Sequence, residues 1–143
     1  MPDLVAKLYD LPSRREVGGV EMRRALPPEE HVVSAWVAAT FGQAWASECR
    51  IAFAHQPVGC HVALRAGVLV GFSCWDATAR GFLGPIGTLE AERGRGIGAA
   101  LLIDCLHAMA AYGYGYAVIG AVGPRAFYEH VVEVYEIPGS TPG

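Results

Sequence analysis

The chain has 143 residues, 52% hydrophobic and 17% charged, with a formal net charge of −3. It is long enough for a single domain over 1–143 with its own core, and too apolar for a disordered chain. The weakly acidic balance, without a basic tract, disfavours nucleic acid, no apolar run reaches the length of a membrane span, and Met1-Pro-Asp-Leu4 is no basic-then-apolar leader, so a cytoplasmic protein without a membrane partner is expected.

Taken in order, Leu4 to Tyr9 reads as a short edge strand and Pro12 to Gly19 as a polar link. Val20 to Ala25 alternates as a strand, with Val20, Met22 and Arg24 on one face. Pro27-Pro28 opens a helix, because proline suits a first turn, and Val32, Val33, Trp36, Val37 and Phe41 give that helix its apolar stripe. Gly42 breaks it, and a second helix runs from Gln43 to Phe53. His61 to Arg65 and Val68 to Trp75 form a hairpin about Ala66-Gly67. Gly81 to Leu89 is the next strand. Its Gly84-Pro85 marks a bulge or local opening, since proline cannot donate to a ladder. A long helix spans Gly96 to Tyr112, with Ile97, Leu101, Leu102, Cys105, Leu106 and Met109 at helical spacing. Tyr116 to Gly120 is a buried strand, with Ala121 and Val122 at its end. Pro124 to His130 is a short helix and Val131 to Ile137 a last strand. A strand–helix–strand crossover such as Leu89 to Tyr116 makes a parallel pair, so the sheet is mixed and the class α/β.

The four cysteines, Cys49, Cys60, Cys74 and Cys105, have no C-x-x-C spacing, and they read as buried reduced thiols. The five histidines have no metal-ligand spacing, and His107 falls on the polar side of its helix. No metal is expected. Phosphate-loop and nucleophile-elbow patterns are absent.

Glycines stand where the strand ending at Leu89 turns into the long helix. The first turn of a helix leaves backbone N–H groups without partners and carries partial positive charge. Gly94, Gly96 and Gly98 let a ligand approach that backbone, and Arg93 and Arg95 add full charge. This is an anion site suited to phosphate or pyrophosphate. Gly94-x-Gly96-x-x-Ala99 fits the dinucleotide fingerprint, but the next strand ends without the acidic residue that fingerprint needs. Arg93-x-x-Gly96-x-Gly98 resembles instead the [Q/R]-x-x-G-x-[G/A] acyl-CoA signature of the GNAT acetyltransferases, and the order of elements from Val20 to Ile137 resembles that family too.

The resemblance implies a mostly antiparallel central sheet with one splayed parallel pair and helices on both faces. It implies acetyl-CoA as co-substrate, with Gly87, Thr88 and Leu89 offering backbone to the pantetheine arm. Arg93, Gly94, Arg95, Gly96, Ile97, Gly98 and Ala99 would hold the pyrophosphate, and Phe127 would border the cofactor. Phe127-Tyr128 resembles the family's F-Y motif, whose tyrosine often protonates the departing thiolate. The Gly-Phe that follows in the family is replaced here by His130-Val-Val-Glu133, and Ala121 stands where an asparagine is frequent.

An acceptor amine must lose a proton before attack, so a general base is expected; Glu48, Asp76 and Glu90 are the candidates. The aromatics Trp36, Phe41, Trp45, Phe72, Trp75 and Phe82 come from elements that flank the acceptor side in this fold. Some members acting on amino sugars have a run similar to Gly123-Pro-Arg-Ala-Phe-Tyr128. The function expected is N-acetyl transfer to a primary amine of a small molecule, an amino sugar or an amino-acid-like amine. The alternative is a non-catalytic acyl-CoA-binding sensor or interaction module on the same fold. The last strand is followed only by Pro138 to Gly143. Its open edge therefore calls for cover, by Leu4 to Tyr9 or by a second copy in a homodimer.

Overall fold

The computed structural model describes residues 2–120 and 123–141. Ala121 and Val122, and with them the asparagine-equivalent position, lie outside the described residues. The elements are β1 (Leu4–Lys7), β2 (Glu21–Arg24), a 3-10 turn (Pro27–Glu29), α1 (Glu30–Phe41), α2 (Gln43–Phe53), β3 (Cys60–Arg65) and β4 (Val68–Trp75). Then come β5 (Phe82–Thr88), a second 3-10 turn (Glu90–Glu92), α3 (Ile97–Tyr112), β6 (Tyr116–Ile119), α4 (Arg125–Glu129) and β7 (Val134–Glu136).

The strands form one mixed sheet in the order β2-β3-β4-β5-β6-β1-β7. Among the described residues β5 and β6 are the one parallel pair, and the other pairings are antiparallel. The reason is the α3 crossover, which returns the chain to the same end of the sheet before β6 begins. Two apolar layers follow from the alternation of side chains along each strand. On one face Val33, Val37, Ala46, Cys49 and Phe53 of α1 and α2 meet Cys60, Val62, Phe72 and Cys74. On the other, α3 packs on Leu4, Ala6, Trp75, Leu83, Ala117 and Ile119. Leu101, Leu102, Ile103, Leu106 and Met109 of α3 are fully buried. Each such side chain contributes about 1.5–3 kcal/mol, so α3 anchors the domain.

Three sequence expectations need correction. Leu4 to Tyr9 is no edge strand: β1 lies inside the sheet, with Val5 opposite Val118 on one side and Tyr135 on the other. It is thus the cover expected for the last strand, supplied within the chain. His107 is not a free surface group, because the N-terminal link crosses the outer side of α3. Its Nε2 lies 2.8 Å from the carbonyl of Pro12, and Arg14 donates to buried Asp104 at 2.8 Å. Val32 is 54% exposed, so the stripe of α1 is narrower than its apolar content suggested.

Candidate active site

The central feature is a divergence between β5 and β6. Among the described residues they pair through Phe82 with Val118 and Leu83 with Ile119. Beyond Leu83 the register of β5 with β4 also shifts, from Leu83 opposite Trp75 to Ile86 opposite Ser73. Gly84-Pro85 fills the extra space, since proline has no N–H to offer a neighbouring strand. Past this point the peptide groups follow the antiparallel alternation. Leu89 N–H bonds to Val70 C=O at 2.9 Å, so Gly87 and Phe72 form the next hydrogen-bonded pair. The peptide groups of Ile86 and Thr88 therefore point away from β4, into the divergence. An extended ligand with amide groups has a strand edge to bond there.

A cavity of about 1090 Å³ occupies the divergence. At one end lies the turn into α3. Gly94 has φ +80° and Gly96 φ +86°, a left-handed conformation that costs other residues roughly 1–2 kcal/mol. The first intrahelical bond runs from Ala100 N–H to Gly96 C=O, which leaves the N–H groups of Ile97, Gly98 and Ala99 to an outside acceptor. Arg93 reaches back so that its Nε donates to Thr88 C=O at 3.3 Å. A cation, open N–H groups and an absence of side chains at Gly94, Gly96 and Gly98 suit a diphosphate. Phe127 closes this side: a Cβ on Gly98 would lie 3.4 Å from its ring. At the other end Phe41, Trp45 and Phe82 line the wall with Glu48 and Thr78.

Tyr128 also lines the cavity, its ring edge-on to Phe127 at 5.0 Å. Burial pushes its hydroxyl above the usual tyrosine range, because the charged phenolate is disfavoured there. The Tyr128 hydroxyl is thus held in its protonated form.

The Acetyltransferase (GNAT) family sequence profile matches residues 25–136. The chain belongs to the GNAT family. Among the solved structures that share its fold are three of different source. A GCN5-related N-acetyltransferase from Sphaerobacter thermophilus has TM-score 0.75 at 21% identity, over 94% of this chain and 48% of that one. A GCN5-related glucosamine N-acetyltransferase region of a fungal multi-domain β-N-acetylglucosaminidase has TM-score 0.77 at 16% identity, over 95% of this chain and 19% of that one. A GNAT family acetyltransferase from Brucella melitensis, solved in complex with acetyl-CoA, has TM-score 0.60 at 19% identity, over 86% and 91%. This chain therefore spans about half the length of the Sphaerobacter protein and a fifth of the fungal one. A search of curated proteins gives no match.

In this GNAT chain most residues expected at the cofactor end line the cavity: Gly87, Thr88, Arg93, Gly94, Gly96, Ile97, Gly98, Ala99 and Phe127. Leu89 and Arg95 do not. Leu89 packs toward Ile97 and Leu101 under the sheet, and Arg95 turns to Glu92 at 3.4 Å. Of the three base candidates only Glu48 lines the cavity, accepting a hydrogen bond from Thr78 Oγ1. Glu90 is exposed on the 3-10 turn, outside the lining. Asp76 is engaged elsewhere: the Tyr114 hydroxyl donates to its two oxygens at 3.0 and 2.9 Å, and Gly81 N–H donates at 2.7 Å. It organises the turn between β4 and β5.

Of the flanking aromatics, Phe72 and Trp75 are fully buried core, whereas Phe41, Trp45 and Phe82 reach the cavity. Sequence reasoning missed Asp3 and Thr78, which also line it. No local pattern marks either one, because each is brought there by strand pairing or by a turn. The thiols are all free and buried. Burial pushes Cys105 up to about 12 and raises Cys74 as well, so both stay protonated. Cys49, Cys60 and Cys74 have sulfurs within 4.8 Å of one another, a proximity their sequence spacing concealed. Among the described residues, no helix is long and apolar enough to cross a membrane.

Proposed function

We propose that this chain is an acetyl-CoA-dependent N-acetyltransferase acting on a primary amine of a small molecule, by direct attack with both substrates bound. The observation that carries this reading is the continuity of one cavity. It joins the glycine turn at Arg93–Ala99 to an aromatic end with a carboxylate, and the divergence of β5 from β6 lies between. Acetyl-CoA supplies an activated acyl group and a thiol leaving group. Arg93 and the open N–H groups of α3 hold its diphosphate, and the inward peptide groups of Ile86 and Thr88 hold its amide-bearing arm. Glu48 takes the proton that the acceptor ammonium must lose before it is a nucleophile. Tyr128 gives a proton to the departing sulfur, whose thiol titrates near ~8.5. The aromatic walls of Phe41, Trp45 and Phe82 exclude water, which would otherwise compete with the amine.

The test is thiol release from acetyl-CoA across a panel of amines, including amino sugars and amino-acid amides. The expected result is release that depends on the amine, with an equal amount of acetylated product. Tight binding of acetyl-CoA without turnover of any amine would favour the non-catalytic binding module instead.

A further inference from the structure

Asp3 immediately precedes β1, the strand inserted between β6 and β7. Leu4 and Ala6 point into the α3 layer and are almost fully buried, so alternation turns Asp3 to the opposite face, the side of α1 and α2. There it lines the cavity beside the start of the β5–β6 divergence. Its Oδ1 lies 3.5 Å from where a Cβ on Gly120 would sit, a point that is 3.0 Å from the Phe82 ring. The backbone is clamped on both sides of the residue. Asp3 N–H donates to Ser140 Oγ at 2.8 Å, and Asp3 C=O accepts from Ile137 N–H at 2.9 Å.

The side chain is treated differently from this backbone. Oδ1 is buried yet has no hydrogen-bond partner among the described residues. Leaving a buried acceptor unpaired is costly, and more so when it is charged. Such an atom in a cavity wall is suited to a ligand. The ligand must be a donor, and its surroundings make it a cation: among the described residues Arg93 is the one basic side chain lining the cavity, at the glycine-turn end. Three carboxylates line the same cavity, Asp3, Glu48 and Glu92, the last paired with Arg65 and Arg95. They are not equivalent, since Glu48 has a hydroxyl partner in Thr78 and Asp3 Oδ1 has none.

We propose that Asp3 selects the acceptor by binding a second, non-reacting ammonium group, so that the preferred substrates are small dications. The reacting nitrogen must be neutral when it attacks, and a fixed ion pair would oppose that. A second ammonium stays charged throughout and gains from a carboxylate in a water-poor wall. This inference rests on the acetyltransfer reading above and adds its substrate class.

The experiment compares 1,4-diaminobutane with n-butylamine as acceptors for the wild type, Asp3→Asn and Asp3→Glu, with melting temperatures for all three. The expected wild-type preference for the diamine is at least tenfold in kcat/KM. In Asp3→Asn this preference collapses through a raised KM for the diamine, while the monoamine rate, the KM for acetyl-CoA and the melting temperature hold or improve. Asp3→Glu restores part of the preference. A wild type indifferent to the second ammonium overturns the proposal whatever the variants do. So does a preference that survives in Asp3→Asn, or one lost only together with the melting temperature. Absence of thiol release with every amine would instead remove the acetyltransfer reading itself, and this inference with it.

Discussion

The ring of Phe41 stands where a side chain on Gly87 would have to be: a Cβ built there would lie 2.6 Å from Cζ. Phe41 is the last residue of α1 and Gly87 belongs to the strand edge that borders the divergence. The helix pair therefore touches the cavity wall through a glycine. Phe41 also stacks with Trp45 at 5.3 Å and Phe72 at 5.5 Å, so it cannot step aside without disturbing the core of that face.

Gly87→Ala should accordingly destabilise the fold by about 1–3 kcal/mol, the usual cost of overpacking. It should also displace the end of α1 and raise the KM of the acceptor more than that of acetyl-CoA. Chemical denaturation and steady-state kinetics measure both. Unchanged stability would mean that Phe41 has room the geometry does not reveal.

Gly96→Val places a β-branched residue at φ +86° in the turn where the diphosphate is proposed to sit. No neighbour lies within 4 Å of the new Cβ, so the strain at this position comes from the left-handed backbone. Acetyl-CoA affinity is expected to fall at least tenfold, about 1.4 kcal/mol, with the fold retained. Calorimetric titration decides it, and normal binding would move the phosphate site elsewhere.

Tyr128→Phe removes the hydroxyl and little else. The rate of transfer should fall by roughly 10²–10⁴ with the affinity for acetyl-CoA nearly unchanged. The pH dependence follows from the raised pKa of this tyrosine. The group stays protonated through the neutral range, so wild-type activity is retained there and its loss to phenolate formation begins only above the ordinary tyrosine range. The same shift makes its contribution to stability full below the unfolded value near ~10 and lost as the pH rises through the folded one. The variant should lack both alkaline losses. A rate equal to wild type would leave Tyr128 as a packing residue against Phe127.

Asp76 separates structure from catalysis. Asp76→Asn weakens the acceptor of the Tyr114 hydroxyl and the Gly81 N–H, and should cost about 1–3 kcal/mol of stability. The turnover of folded protein should stay near wild type, because Asp76 lies outside the cavity lining. Tyr114, pushed up to about 12 by burial and by Asp76, should titrate closer to its ordinary value in the variant. A large drop in turnover with unchanged stability would return Asp76 to the list of bases.

The sequence by itself determined the local chemistry. Proline and glycine positions marked where helices start and stop, and helical spacing from Ile97 to Met109 marked the anchoring helix. The glycines before it marked a turn that needs left-handed backbone, because that feature depends on neighbours within one turn. Even the break at Gly84-Pro85 was legible, since a missing N–H acts locally. Only the tertiary structure decided which carboxylates share a cavity. Glu48, Asp76 and Glu90 look alike as sequence, yet a turn tied by Tyr114 occupies one and solvent surrounds another. The same holds for Asp3. Its face is set by the insertion of β1 between β6 and β7, and pairing between strands more than a hundred residues apart leaves no periodic trace near Asp3 itself.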